Sequence, residues 1–169
     1  MQSIDPTVVK RAAAIRLVAI DVDGVLTDGR LYYGDEGEQL KVFHVHDGLG
    51  LRRLIDAGIE PAIISARKSK AVKRRMKELG VSNVHMHCAD KGAKIEMLMR
   101  EAGIENQQVA AIGDDLADLP MLQRAGLAVA VADAHPQLLE AAHWKTTRPG
   151  GHGAVRELCD LILTAQNYR

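Results

Sequence analysis

Short apolar runs alternate with helical patterns along almost the whole chain, and that alternation leaves few folds open. The runs cover residues 15–20, 60–65, 82–87, 108–112 and 127–131, and the helical patterns cover 49–57, 69–79, 91–102, 116–125 and 136–142. Gly58, Gly80, Gly103 and Gly126 each follow a helical stretch, where a left-handed residue commonly closes a helix. Strand, helix and glycine in this order predict a three-layer α/β/α, Rossmann-like fold with a parallel central sheet and right-handed crossovers. Hydrophobic residues make up 47% of the 169 but aromatics only 3%, so the core must be Ala, Val, Ile and Leu. That composition suits inner strands buried on both faces.

One segment departs from the rhythm. Residues 30–33 and 39–45 alternate apolar and polar side chains about Gly34-Asp35-Glu36-Gly37, which predicts a β-hairpin over 30–45, inserted after the first strand. Residues 148–169 read as a Gly-rich joint, Arg148-Pro149-Gly150-Gly151, followed by a helix from 154 to about 165. Neither segment is long enough for a second domain, so residues 1–169 are expected to form one.

Charge excludes some partners. Lys plus Arg and Asp plus Glu are 22 each, so there is no global pull on nucleic acid or an anionic membrane. The basic run Arg67, Lys68, Lys70, Lys73, Arg74, Arg75 and Lys77 reads mainly as one solvated helix face. No apolar run approaches the ~18 residues that span a bilayer, and the N-terminus lacks a signal-peptide pattern. Two distant cysteines, Cys88 and Cys159, fit a reducing compartment. The expectation is a soluble cytoplasmic protein with no nucleic-acid or membrane partner.

Ligands of open α/β sheets bind beyond the carboxyl ends of the strands. The first strand ends in Asp21-Val22-Asp23-Gly24, the second in Ser65-Ala66-Arg67, and the fourth in Gly113-Asp114-Asp115, with Asp118 a turn later. Lys91 opens the helix after the third. Carboxylates, a hydroxyl and a lysine thus converge on one edge. Crowded carboxylates repel one another, and a hard divalent cation such as Mg²⁺ with oxygen ligands resolves the conflict. The ion would also neutralise a bound phosphate, leaving one carboxylate free to attack phosphorus. Lys91 and Ser65 would hold the non-bridging oxygens. Taken singly, Asp115 or Asp118 is more often a helix cap than a ligand.

The run Asp21-Val22-Asp23-Gly24-Val25-Leu26-Thr27-Asp28 resembles motif I of the haloacid dehalogenase superfamily, and Ser65, Lys91 and Gly113-Asp114-Asp115 with Asp118 resemble motifs II to IV. That resemblance implies Asp21 as nucleophile and metal ligand, and Asp23 as general acid and base whose carbonyl also binds the metal. It implies Ser65 and Lys91 on the phosphate, Asp114 on Mg²⁺, and Asp115 and Asp118 supporting the metal shell or Lys91.

The gaps between these motifs hold no cap domain. The hairpin, the run from Lys41 through Gly50, Asp90-Lys91-Gly92 and the tail from Arg148 to Glu157 are similar to one subfamily, the 3-deoxy-D-manno-octulosonate 8-phosphate (KDO 8-phosphate) phosphatases. The likeness implies a homotetramer whose hairpins form a central barrel and whose subunits help cover one another's sites. It also implies a small phosphorylated sugar acid as substrate, and a role in making lipopolysaccharide precursors. His46 stands where the subfamily usually has Arg, and Ser65-Ala66-Arg67 replaces Thr-Gly-Arg, which leaves the sugar open; Arg67 and Lys68 are candidate substrate contacts.

Rival readings are a nonulosonate 9-phosphate phosphatase, a phospho-receiver and a non-catalytic subunit of the same fold. A receiver would carry its acceptor at the third strand, where this chain has His and Cys instead. His85, His87 and Cys88 superficially resemble soft-metal ligands but lack a fourth partner at familiar spacing.

Overall fold

The computed structural model describes residues 4–168. Six parallel strands form the central sheet: β1 (Leu17–Ile20), β4 (Glu60–Ile64), β5 (Asn83–His85), β6 (Val109–Gly113), β7 (Leu127–Ala130) and β8 (Trp144–Lys145). Two further strands, β2 (Tyr32–Gly34) and β3 (Gly37–Leu40), pair antiparallel as the hairpin that follows β1. Every residue of β1, β6 and β7 is buried, as strands covered on both faces require.

The helices are α1 (Pro6–Ala12), α2 (Val45–Asp56), α3 (Lys70–Leu79), α4 (Lys91–Ala102), α5 (Leu119–Leu122), α6 (Pro136–Ala141) and α7 (Ala154–Ala165). Helices α1, α2, α3 and α7 pack as one group, and α4, α5 and α6 as another, giving the three expected layers. No cap domain is inserted among the described residues. No helix among them is long and apolar enough to cross a membrane.

Strand order places the site. The sheet runs β5-β4-β1-β6-β7-β8, so the chain builds outward from β1 in one direction and from β6 in the other. The crevice of such a sheet opens at this reversal, beyond the carboxyl ends of β1 and β6. Their register sets Ile20 opposite Ile112, which brings Asp21 and Asp114 to neighbouring positions past the strand ends.

Several boundaries differ from the sequence expectation. The second hairpin strand stops at Leu40 rather than running to Val45. His44 caps α2 by accepting the His46 N–H at 3.2 Å, so the helix starts four residues before the expected 49. The helical pattern over 116–125 divides into a 3-10 turn, Leu116–Asp118, and the short α5. Gly58, Gly80 and Gly103 have positive φ, but Gly126 does not. A Cβ at Gly126 would lie 2.6 Å from the Asn106 carbonyl oxygen, so close packing rather than helix termination requires glycine there. Helix α1 and strand β8 were not expected. The first carries readable signals, Pro6 at its first turn and an Asp5 side chain accepting the Thr7 N–H at 2.7 Å.

Candidate active site

The chain leaves β1 through an irregular turn, Val22–Leu26, in which Asp23 and Gly24 abandon helical angles. Gly24 has φ of 88°, and a Cβ there would lie 2.0 Å from Asp114 Oδ2. Only glycine satisfies both the angle and the approach. The turn wraps closely around the Asp114 carboxyl.

Lys91 ties three segments together. It is the first residue of α4, whose N-cap Asp90 accepts the Ala93 N–H at 2.9 Å. The Lys91 Nζ lies 2.5 Å from Asp21 Oδ1 and 2.5 Å from Asp118 Oδ1, and all three side chains are buried. Asp118 Oδ2 accepts the main-chain N–H of Asp114 at 2.9 Å. Both oxygens of Asp118 are therefore committed, one to the lysine and one to the loop after β6.

Oxygens of Asp21, Asp114 and Asp118 all lie within 4.8 Å of one another. Burial pushes the Asp21 carboxyl up to about 7; Asp118 adds to the rise, and Lys91 opposes it. Burial, then Asp21, then Asp118 push Asp114 up to about 8. Burial works against the charge of Lys91, yet the two aspartates overcome it and hold the ammonium above the ordinary lysine value. With all three carboxyls ionised, one ammonium would leave negative charge uncompensated. A hard divalent cation fits this all-oxygen set, with Asp21 and Asp114 as the carboxylates free to bind it.

The remaining expected residues are distributed around this group. Ser65 is buried at the end of β4, beside β1, and its Oγ accepts the Arg67 N–H at 3.2 Å. The Asp23 carboxylate turns away from the cluster, contacting Lys41 through Oδ1, with Arg67 Nε 3.9 Å from Oδ2. Arg67 Nη2 also donates to Tyr33 Oη at 3.1 Å and Glu38 Oε2 at 3.0 Å on the hairpin. Burial pushes the Glu38 carboxyl up, but hydrogen bonds from Arg67 and Lys41 outweigh it and hold the group below the usual range. Asp115 is exposed and accepts the Leu116 N–H at 2.7 Å, the cap that its spacing also allowed. His85, His87 and Cys88 form no metal-sized group among the described residues.

The Gly-rich tail reaches the site from behind. Gly151 N–H donates to the Val25 carbonyl at 2.9 Å, and Gly150 N–H to Asp133 Oδ1 at 2.9 Å. A Cβ at Gly150 would lie 1.7 Å from the Gly24 carbonyl oxygen. Asp47, buried in the first turn of α2, accepts the Arg156 N–H of α7 at 2.7 Å and so caps a helix whose own N-cap is Gly153. Sequence reasoning missed Lys41, Glu38 and Asp47 as individuals. Their partners lie in segments that only the fold brings close.

A carboxylate cluster with a committed lysine, at the switch point of a parallel sheet, is apparatus for moving phosphate. The comparisons agree. Residues 84–158 match the haloacid dehalogenase-like hydrolase family. The 3-deoxy-D-manno-octulosonate 8-phosphate phosphatase KdsC of Yersinia pestis is 49% identical over 95% of this chain and 86% of its own. Its namesake from Escherichia coli K12 is 45% identical over 96% of this chain and 87% of its own. A crystal structure of the Moraxella catarrhalis phosphatase in complex with magnesium ion, phosphate ion and KDO superposes with a TM-score of 0.92 at 45% identity, covering 95% of this chain and 92% of that one. The chain belongs to the 3-deoxy-D-manno-octulosonate 8-phosphate phosphatase family of haloacid dehalogenase-like hydrolases.

Proposed function

We propose that this chain is a magnesium-dependent phosphatase that hydrolyses KDO 8-phosphate to KDO and phosphate through an aspartyl-phosphate on Asp21. The observation that carries the reading is the joint hold of Lys91 on Asp21 and Asp118 beside Asp114, in a chain 49% identical to a phosphatase of that name. Bound magnesium, held by Asp21, Asp114 and the Asp23 carbonyl, would supply the positive charge that lets a phosphate dianion approach carboxylates.

Lys91 holds Oδ1 of Asp21, so Oδ2 is the oxygen for attack. The Oδ2–phosphorus bond forms, the bond from phosphorus to the sugar oxygen breaks, and Asp23 gives that oxygen its proton. Asp23, now ionised, takes a proton from water as the water oxygen attacks phosphorus. The bond to Asp21 breaks and inorganic phosphate leaves. Lys91 and Ser65 bind non-bridging phosphate oxygens, and Arg67 the sugar acid. Asp118 keeps Lys91 in place, and Asp115 supports the loop as its cap.

The same reading takes the enzyme to be a cytoplasmic homotetramer in the route to lipopolysaccharide precursors. Leu31, Tyr32, Tyr33, Leu40, Val42, Val45 and Leu49 are all exposed within one stretch of chain on and after the hairpin, and that concentration supports association, since gathered apolar surface often marks an interface. Cys88 and Cys159 are both free thiols, as a reducing compartment would keep them.

The test is phosphate release with Mg²⁺ from KDO 8-phosphate, a nonulosonate 9-phosphate and common hexose phosphates. The highest kcat/KM on KDO 8-phosphate is expected. Preference for a nonulosonate would reassign the sugar, and inactivity on all would overturn the enzyme reading.

A further inference from the structure

Four charged side chains join the hairpin to the active-site loop, and the chemistry above leaves two of them, Lys41 and Glu38, unused. Lys41 follows β3 directly. Its side chain is 1% exposed, its Nζ contacts Asp23 Oδ1, and Glu38 Oε2 lies 3.3 Å away. Glu38 in turn accepts from Arg67 at 3.0 Å. Cation and anion alternate from Asp23 through Lys41 and Glu38 to Arg67.

A lysine on a surface hairpin ordinarily keeps its ammonium in water. Burying that charge is costly unless carboxylates compensate it, and here two do. Asp23 Oδ1 is occupied. Oδ2, 3.9 Å from Arg67 Nε, accepts no hydrogen bond among the described residues. Arg67 Nε is likewise a buried donor without an acceptor among them. The free oxygen and the free donor are adjacent, on the residue read as the general acid and the residue read as a sugar contact.

We infer that Lys41 is a positioning residue for Asp23: by holding Oδ1 it fixes the rotation of the carboxyl and leaves Oδ2 as the oxygen that serves the sugar. Glu38 anchors Lys41 and, through Arg67, sets the acid and the sugar contact in one frame. The hairpin thereby acts on the site of its own subunit. The inference rests on the phosphatase reading above and deepens it.

Protonation of the leaving group separates this role from a structural one. A sugar alkoxide leaves poorly without a proton, whereas p-nitrophenolate needs little help. General acid catalysis contributes ~10²–10⁴-fold where it is needed. The experiment measures kcat/KM, which reports steps through phosphorylation of Asp21, for wild type, Lys41→Met and Lys41→Arg on KDO 8-phosphate and p-nitrophenyl phosphate with Mg²⁺. Lys41→Met should lose at least ~10-fold more on the sugar phosphate than on the aryl phosphate, a fraction of the general-acid contribution. Lys41→Arg, which keeps a cation, should bring that ratio back toward wild type. Equal losses on the two substrates, or none, overturn the role. Should Lys41→Met fail to fold, Glu38→Gln removes one anchor of the ammonium, and an unchanged sugar-to-aryl ratio in that variant overturns the inference equally. An inactive wild type sinks the phosphatase reading and this inference together. An active wild type whose ratio ignores Lys41 and Glu38 sinks the inference alone.

Discussion

The Lys91 ammonium lies 2.5 Å from the Asp118 carboxylate, and the other oxygen of that aspartate accepts the Asp114 N–H at 2.9 Å. Asp118 therefore couples the lysine that faces Asp21 to the loop that carries Asp114. Asp118→Asn keeps an acceptor for the loop but loses the charge that holds Lys91. It should lower kcat by roughly 10–100-fold, as loss of a partner that orients the residues around a metal site commonly does. Asp118→Ala should also orphan the Asp114 N–H and cost about 1–3 kcal/mol in stability. Steady-state kinetics and denaturant melts of both variants check this.

Asp21→Asn should abolish turnover, because an amide cannot serve as the nucleophile, while the protein stays folded. The amide also removes one of the crowded charges, so the rise in melting temperature that Mg²⁺ should give wild type is expected to be lost. A wild-type rise equivalent to ~2.7 kcal/mol is expected at 100 times the dissociation constant. Phosphate release and thermal melts with and without Mg²⁺ test the two halves separately.

Stability without metal should depend on pH with a definite sign. A carboxyl whose folded pKa lies above its unfolded value stabilises fully only below the unfolded value, and the contribution is lost as pH rises through the folded one. Asp21 and Asp114 rise from 3.8 to about 7 and about 8. In chelator-treated protein, the contribution of these two groups should therefore fall as pH rises from near 4 toward 8. Their ionised forms are the ones that bind a cation, so Mg²⁺ should restore more stability at pH 8 than at pH 6. Comparing Asp21→Asn and Asp114→Asn with wild type in melts across that range isolates the pair.

Much of this candidate centre is legible in the sequence alone. Asp21, Ser65 and Asp114 follow strand ends directly, Asp23 sits in the turn after the first and Lys91 opens a helix, and a parallel sheet carries such positions to one edge. Helix α3 was readable from Ser69, which caps it by accepting the Val72 N–H at 3.4 Å, and from Gly80 at its end. What stayed hidden are contacts between segments with no shared period. Lys41 sits in an alternating stretch that reads as strand, and nothing local says that its ammonium turns to Asp23. Val42 and Val45 extended that false strand, because a His44 cap is a weak signal beside two β-branched residues.

Asp47 illustrates the same limit. Its position in the first turn of α2 reads as a favourable charge for that helix, yet its Oδ1 caps α7. Burial pushes its carboxyl up, and the hydrogen bond from Arg156 is the chief opposing effect. Asp47→Ala should cost about 1–2 kcal/mol, the usual loss of a helix cap, while Asp47→Asn should cost less because an acceptor remains. Chemical denaturation of both variants decides it.

Gly150→Ala should cripple turnover, since its Cβ would meet the Gly24 carbonyl, main chain that cannot move without moving Asp23. Gly58→Ala offers the contrast. Gly58 has φ of 75° with nothing within 4 Å, so alanine there should cost about 1 kcal/mol of stability and leave kcat intact. Paired kinetics and melts separate a misplaced loop from ordinary backbone strain.

The apposition of Gly150 and Gly151 with the turn after β1 has a temporal consequence. The first strand of the sheet leaves the ribosome well before them, so its catalytic turn gains its backing only when Gly150 and Gly151 have arrived. Contacts so distant in sequence form late in folding. A nascent chain stalled before residue 148 should hold Asp21 on an unsupported turn and hydrolyse nothing, so competence would wait for that glycine pair.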